Sequence, residues 1–255
     1  MNKYVKSTFD APLKVLITGA TSGVGEATAK FFSERGAEVS LLGRRESELT
    51  RVSSELPATS HTFVVDVSKE STVSIAVNEV FTTMGGIDVV VNAAGVAEFA
   101  YLEDLTGDVW NQVISTNLSG TYFVSRAAAL LMKKTGKGSI VNVASDLATF
   151  GMAGLAHYSA SKAGVVGLTK AMAVELAPTV RVNVICPGPI NTPMLRAGLE
   201  LEENPEQALL EKESTVPLDR LAETEEVARA IYFLAVDATF ATGTSMAFDG
   251  GTSAA

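Results

Sequence analysis

Tyr158 and Lys162 stand four positions apart, on one face of a helix if the segment is helical, and the apolar spacing of Ala163 to Leu176 favours one. Such a pair has chemical content. A free tyrosine holds its proton to a pKa of about 10, too high for a base at neutrality. An ammonium ~4 Å away, at an effective dielectric of ~20, attracts the phenolate by roughly 4 kcal/mol, or about three pK units at most. Tyr158 could then serve as a general acid or base near pH 7. A bare Tyr-x-x-x-Lys is usually the polar face of a surface helix, so the rest of the chain must supply the context.

Part of that context lies near the N-terminus. Leu13 to Thr18 reads as a short buried strand, and Gly19-Ala20-Thr21-Ser22-Gly23-Val24-Gly25 follows at once, opening a helix from Glu26 to Arg35. The glycines allow a tight turn, a close backbone approach to a pyrophosphate and packing of helix on strand. The helix N-terminus offers free N–H groups and a positive dipole to phosphates.

With these pieces the chain resembles the short-chain dehydrogenase/reductase family from about Leu13 to Gly251. The resemblance rests on an ordered set: Thr18-Gly19 through Gly25, Asn92-Ala93-Ala94-Gly95, Asn117, Ser145, Tyr158 with Lys162, and Pro187-Gly188. It implies that Asn117, Ser145, Tyr158 and Lys162 are catalytic, with Lys162 also on the nicotinamide ribose and Asn117 holding a water that links Lys162 to solvent. The cofactor contacts it implies are Gly19, Thr21, Ser22, Gly23, Val24, Gly25, Asp66, Val67, Asn92, Ala93, Ala94, Gly95, Tyr158, Lys162, Pro187, Gly188, Ile190 and Thr192. Asn92 would also brace the sheet, and the Thr192 hydroxyl would lie near the carboxamide.

Which nicotinamide dinucleotide is read at the end of the second strand, Glu38 to Leu42. An acid there binds the ribose hydroxyls of NAD, whereas arginine neutralises the 2'-phosphate of NADP. Gly43 stands in the acid's place and Arg44 and Arg45 follow, so NADP(H) is expected over NAD(H), although Ser22 departs from the basic residue some NADP enzymes carry. Asp66, after the strand His61 to Val65, either touches adenine or merely caps or turns the chain before Ser68 to Met84. Asn117 interrupts a long helical stretch, Asp108 to Lys134, which hints at a local backbone departure or a bound water. Ser145 follows the strand Ser139 to Ala144 and lies thirteen residues before Tyr158, so the two hydroxyls could converge on one substrate oxygen. Ser159 and Ser161 need no catalytic role.

The elements that must position these residues alternate apolar runs with helical patterns. The expected fold is a single doubly wound α/β (Rossmann) domain over 13–255, a parallel sheet of about seven strands with helices on both faces, after a polar tail at 1–12. The family resemblance implies a substrate lid at about 190–215, rich in glutamates that more often form a solvated face than a repulsive one. Phe150, Met152, Leu155, His157, Met194 and Leu195 form an apolar candidate pocket with Ser145, suited to a neutral ketone or secondary alcohol. Glu98 and Asp146 either add a polar contact or are exposed loop residues.

Composition narrows the partners. The chain has 255 residues, 47% hydrophobic and 19% charged, with a net charge of -9 and a pI near 4.8. This argues against nucleic acid or an anionic membrane as partner. Cys186 is the only cysteine and His61 and His157 the only histidines, so no metal site is expected and a Ser-His-Asp triad is poorly supported. Without an apolar leader or membrane-length run, a cytoplasmic location is expected. Resemblance adds a homotetramer or a dimer. A 3-oxoacyl thioester reductase is the alternative substrate reading, weakened because an acidic carrier protein needs a basic dock and only Lys133, Lys134 and Lys137 cluster. A non-catalytic dinucleotide-binding regulator is the alternative of another class.

Overall fold

The computed structural model describes residues 12–200 and 202–254; all but Pro12 of the tail expected at 1–12 lies outside them. Seven parallel strands line up in the order β3-β2-β1-β4-β5-β6-β7. They are β1 (Lys14–Thr18), β2 (Glu38–Gly43), β3 (Ser60–Val64), β4 (Val89–Asn92), β5 (Gly138–Val143), β6 (Val180–Pro187) and β7 (Ser245–Phe248). The helices include α1 (Gly23–Ser33), α2 (Glu46–Glu55), α3 (Glu70–Met84), α4 (Gly107–Ile114), α5 (Gly120–Thr135), α6 (Ala156–Leu176), α7 (Pro193–Leu199), α8 (Pro205–Ser214) and α9 (Thr224–Tyr232).

Successive side chains on a strand point to opposite faces, so the apolar runs feed two cores. Val15 and Ile17 join Val39, Leu41, Val89 and Val91 under Phe32 of α1, Leu49 of α2 and Ile231 of α9. Leu16 joins Val90, Ile140 and Val182 under Val77 and Val80 of α3, Val124 and Met132 of α5 and Leu176 of α6. The expected doubly wound sheet is therefore present, with both faces covered.

Tyr158 and Lys162 both lie within α6, as their spacing implied. The long stretch expected at 108–134 is two helices joined by a π-helical turn, Ser115–Ser119, with Asn117 at its centre. The extra residue of a π turn is the backbone departure that a mid-helix asparagine hinted at. Within the expected lid, α7 and α8 stand outside both cores and bury no residue.

Arg181 lies on β6, and its guanidinium donates to the carbonyls of Leu234, Ala235, Ala238 and Ala241 and to Ser139 Oγ. It thereby satisfies carbonyls of the π-helical turn Phe233–Asp237 that follows α9 and of the loop after it. Arg181→Met keeps the volume but strands these acceptors, and urea denaturation is expected to show a loss of about 2–4 kcal/mol. A loss below about 0.5 kcal/mol would show that water replaces the guanidinium without penalty.

Candidate active site

The Gly-rich turn connects β1 to α1 at the carboxyl end of the sheet, where ligands of open α/β folds bind. Gly19 has φ of 66°, and a Cβ there would lie 2.7 Å from Ala94 N and Cα. A Cβ on Gly25 would overlap the Gly19 carbonyl. Ser22 sits at the N-cap of α1 without a side-chain cap, so the first-turn amides stay free for an anion. Such a cradle fits a dinucleotide pyrophosphate. Thr192 approaches it from far along the chain: a Cβ on Gly23 would meet Thr192 Cγ2 at 3.4 Å. The Thr192 hydroxyl accepts from Leu195 N at 3.3 Å and so caps α7. Ile190 bridges to Ala222, and Pro187 ends β6. Gly188 makes room for the Asp249 backbone, which a Cβ would approach to 2.8 Å.

Of the two arginines after β2, Arg45 reaches the turn. It donates to Thr21 O at 3.3 Å, Thr21 Oγ1 at 2.9 Å and Ser22 Oγ at 3.3 Å. Arg44 is exposed; burial alone would raise the Asp66 carboxyl, but hydrogen bonds from Ser68 and, after them, the Arg44 charge hold it below its ordinary range. Asp66 Oδ1 accepts from Ser68 N and Oγ, an Asx turn rather than a helix cap; Val67 is buried behind it. Gly43 is closely covered: a Cβ there would lie 2.8 Å from Thr21 Cγ2, so an acid in this position would displace Thr21.

Asn92 is buried and donates to Ser125 Oγ at 2.8 Å and Asn142 Oδ1 at 2.9 Å, bracing β4 against β5 and α5. Ala93 packs on one core and Ala94 on the other, and Ala94 N donates to Thr18 Oγ1. Gly95 faces both Asn117 and Lys162, its Cβ position lying 3.4 Å from Asn117 Oδ1 and 3.5 Å from Lys162 Nζ. Asn117 accepts from Val96 N at 2.8 Å and donates to Val96 O at 2.9 Å and Ser161 Oγ at 3.1 Å. Ser161 in turn donates to Tyr158 O. Its fully buried bridging place was not legible from spacing alone.

Lys162 is 5% exposed and donates to Val143 O at 2.9 Å, with Nζ 5.5 Å from the Tyr158 ring centroid. Burial pushes the Tyr158 phenol up to about 12, offset in part by the Ser145 hydroxyl, and burial draws the Lys162 ammonium down to about 8. Partial burial of Tyr158 and near-complete burial of Lys162 favour their neutral forms, and the lysine spends a hydrogen bond on a carbonyl. The Ser145 hydroxyl donates to Asp146 Oδ1 at 2.8 Å and accepts from Leu147 N. Asp146 is buried, not an exposed loop residue; Glu98 is exposed.

The candidate pocket is only partly assembled. Met152 and Met194 are exposed, while Phe150 and Leu195 are half-buried. His157 is corrected: it is wholly buried, with Nε2 at 2.8 Å from Glu98 O, so it supports the loop instead of facing a substrate. Phe99, exposed beside the same loop, packs on Gly154 and stands edge-on to Tyr101 at 5.1 Å. A cavity of about 400 Å³ lies elsewhere, between α9 and β7 beside Arg229, Phe233 and Phe248. Among the described residues, no group of three His, Cys, Asp or Glu could hold a metal. Nor is any helix there long and apolar enough to cross a membrane.

Comparison with known proteins agrees with this arrangement. A family described as Enoyl-(Acyl carrier protein) reductase matches residues 19–253. The 3-oxoacyl-[acyl-carrier-protein] reductase FabG of Thermotoga maritima is 40% identical over 242 residues, 92% of this chain and 96% of that protein. Levodione reductase superposes with a TM-score of 0.92 at 34% identity, covering 96% of this chain and 100% of that one. An actinorhodin polyketide ketoreductase variant with NADPH gives 0.91 at 33% identity, covering 97% and 99%.

Proposed function

The chain belongs to the short-chain dehydrogenase/reductase family, and from that premise we propose that it interconverts a neutral ketone and a secondary alcohol with NADP(H). It is an oxidoreductase acting on CH–OH or C=O groups of a small molecule. The observation that carries the reading is the meeting of Tyr158 and Lys162 from α6 with Ser145 from the end of β5 and Asn117 from the π turn.

When bound, the nicotinamide supplies or accepts the hydride. Tyr158 gives its phenolic proton to the substrate oxygen in reduction and takes it back in oxidation. The Ser145 hydroxyl stabilises the charge developing on that oxygen. Lys162 lowers the cost of the phenolate and binds the ribose, and Asn117 relays protons to solvent through a water. Gly19, Thr21 to Gly25, Asp66, Val67, Asn92 to Gly95, Pro187, Gly188, Ile190 and Thr192 line the cofactor in this reading. The reading also includes one domain over 13–255 with a lid at about 190–215, a cytoplasmic location, and a homotetramer or a dimer.

Preference for NADP(H) is supported by Gly43 in place of an acid and by Arg45 at the Thr21–Ser22 turn. Arg45→Ala is expected to raise the KM for NADPH about tenfold, the worth of a charged hydrogen bond, and to leave that for NADH nearly unchanged. Equal effects on both cofactors would remove the 2'-phosphate role.

The relatives favour a second substrate reading, a 3-oxoacyl thioester. Against a carrier-borne substrate stands the position of Lys133, Lys134 and Lys137, which precede β5 while Ser145 follows it. A six-residue strand separates them by roughly 20 Å, and Lys137 is paired with Asp88. The deciding experiment is initial-rate cofactor oxidation with cyclohexanone, cyclohexane-1,2-dione, benzaldehyde and acetoacetyl-CoA, each with NADPH and with NADH. A neutral ketone should react faster than the thioester with NADPH; the reverse order would establish the second reading.

A further inference from the structure

Asp146 is a buried acid that the proposed chemistry leaves unused. It is 6% exposed, next to Ser145, which is 8% exposed. Its Oδ1 accepts from Ser145 Oγ and from Leu147 N, each at 2.8 Å. Leu147 N also reaches Ser145 Oγ at 3.2 Å. The turn is closed by Thr149, whose N and Oγ1 donate to the Asp146 carbonyl. Neither side chain is therefore free to swing.

A serine has one proton to donate. While it is committed to the Asp146 carboxylate, the same hydroxyl cannot donate to a substrate oxygen. If the carboxyl is protonated, it can donate to Ser145 Oγ, and the serine proton turns outward. We propose that Asp146 is a positioning residue whose protonation sets the direction of the Ser145 hydroxyl, so that Ser145 assists carbonyl reduction only when Asp146 is neutral. This rests on the reading of Ser145 given above.

The groups facing Asp146 fit this role. Burial raises its pKa and Asp249 adds to the rise, while the hydrogen bonds from Ser145 and Leu147 and the Lys212 ammonium of α8 oppose it. Tyr158 on α6 and Cys186 on β6 also feel its charge, but burial holds them near about 12 and about 11, above the working range. Lys162 titrates near about 8 and is common to every variant below. Lys212 belongs to the expected lid, so lid position would bear on the same proton.

The test is the pH dependence of kcat/KM for reduction from pH 5.5 to 8.5, using the fastest carbonyl of the panel above. Wild type, Asp146→Asn and Ser145→Ala are compared. In Asp146→Asn the amide oxygen keeps accepting from Leu147 N and Ser145 Oγ at every pH, so the variant should be about tenfold slower than wild type at pH 5.5 and its ratio to wild type should climb toward one at pH 8.5. The penalty of Ser145→Ala should be large at pH 5.5 and shrink as pH rises. This second comparison carries the test if Asp146→Asn does not fold. A ratio and a penalty that do not vary with pH would overturn the proposal and leave Asp146 a structural residue. If Ser145→Ala costs nothing at any pH, the assignment of Ser145 itself fails, a result distinct from failure of the switch.

Discussion

Tyr158→Phe is expected to bind NADPH as the wild type does while turnover falls by at least about a thousandfold. The substitution removes one hydroxyl from a ring that keeps its packing, so folding and the cofactor cradle are left alone. What disappears is the proton that is transferred to the substrate oxygen, which the Ser145 hydroxyl only hydrogen-bonds. Fluorescence titration with NADPH separates binding from turnover, and a variant retaining the wild-type rate would end the assignment of Tyr158. The pH dependence has a definite sign. With its pKa raised from 10 to about 12, the phenol is protonated at neutrality and ready to donate in reduction. Alcohol oxidation should accelerate as pH rises. A raised folded-state pKa also contributes stability below pH 10 that is lost as pH climbs through about 12.

The second large effect is a divergence between activity and stability. Lys162→Met should lose turnover by at least about a hundredfold, since the cation that offsets phenolate charge is gone. The folded protein, by contrast, is relieved of a buried ammonium whose pKa falls from 10.5 to about 8. Below pH 8 the lysine is charged in both states, and its burial costs about 3 kcal/mol. Between pH 8 and 10.5 the folded state gives up the proton that the unfolded chain keeps, so wild-type stability rises with pH. The stability of Lys162→Met relative to wild type should therefore decline by about 3 kcal/mol from pH 7 to 10.5. Urea denaturation at the two pH values checks this. A constant difference would mean that the Val143 bond compensates the buried charge fully.

The bridge from one prediction to the other is the dryness around α6. Spacing along the chain correctly put Tyr158 and Lys162 on one helical face, but an attraction at ~4 Å and a dielectric of ~20 assumed two charged groups in partial contact with water. With burial acting on both groups and Val143 O taking a hydrogen bond from the lysine, the phenol stays protonated at neutrality, and the ammonium offsets only part of the cost of charging it.

Periodicity along the chain was enough to establish the sheet, the two cores and the order of the motifs. The alternation of Val15, Leu16 and Ile17 is a property of neighbouring residues, as is the strand, Gly-rich turn and helix around Gly19 to Gly25. Asn117 announced a defect in its helix because an asparagine disfavours that backbone wherever it occurs. Only the tertiary structure decided the rest: that Arg45 rather than Arg44 reaches Thr21, that Ser161 joins Asn117 to α6, that His157 faces a loop carbonyl, and that Ser145 donates a hydrogen bond to Asp146. The physical reason is that hydrogen-bond direction and pKa depend on the atoms surrounding a group. Those atoms come from elements distant in sequence, whose approach no local period encodes.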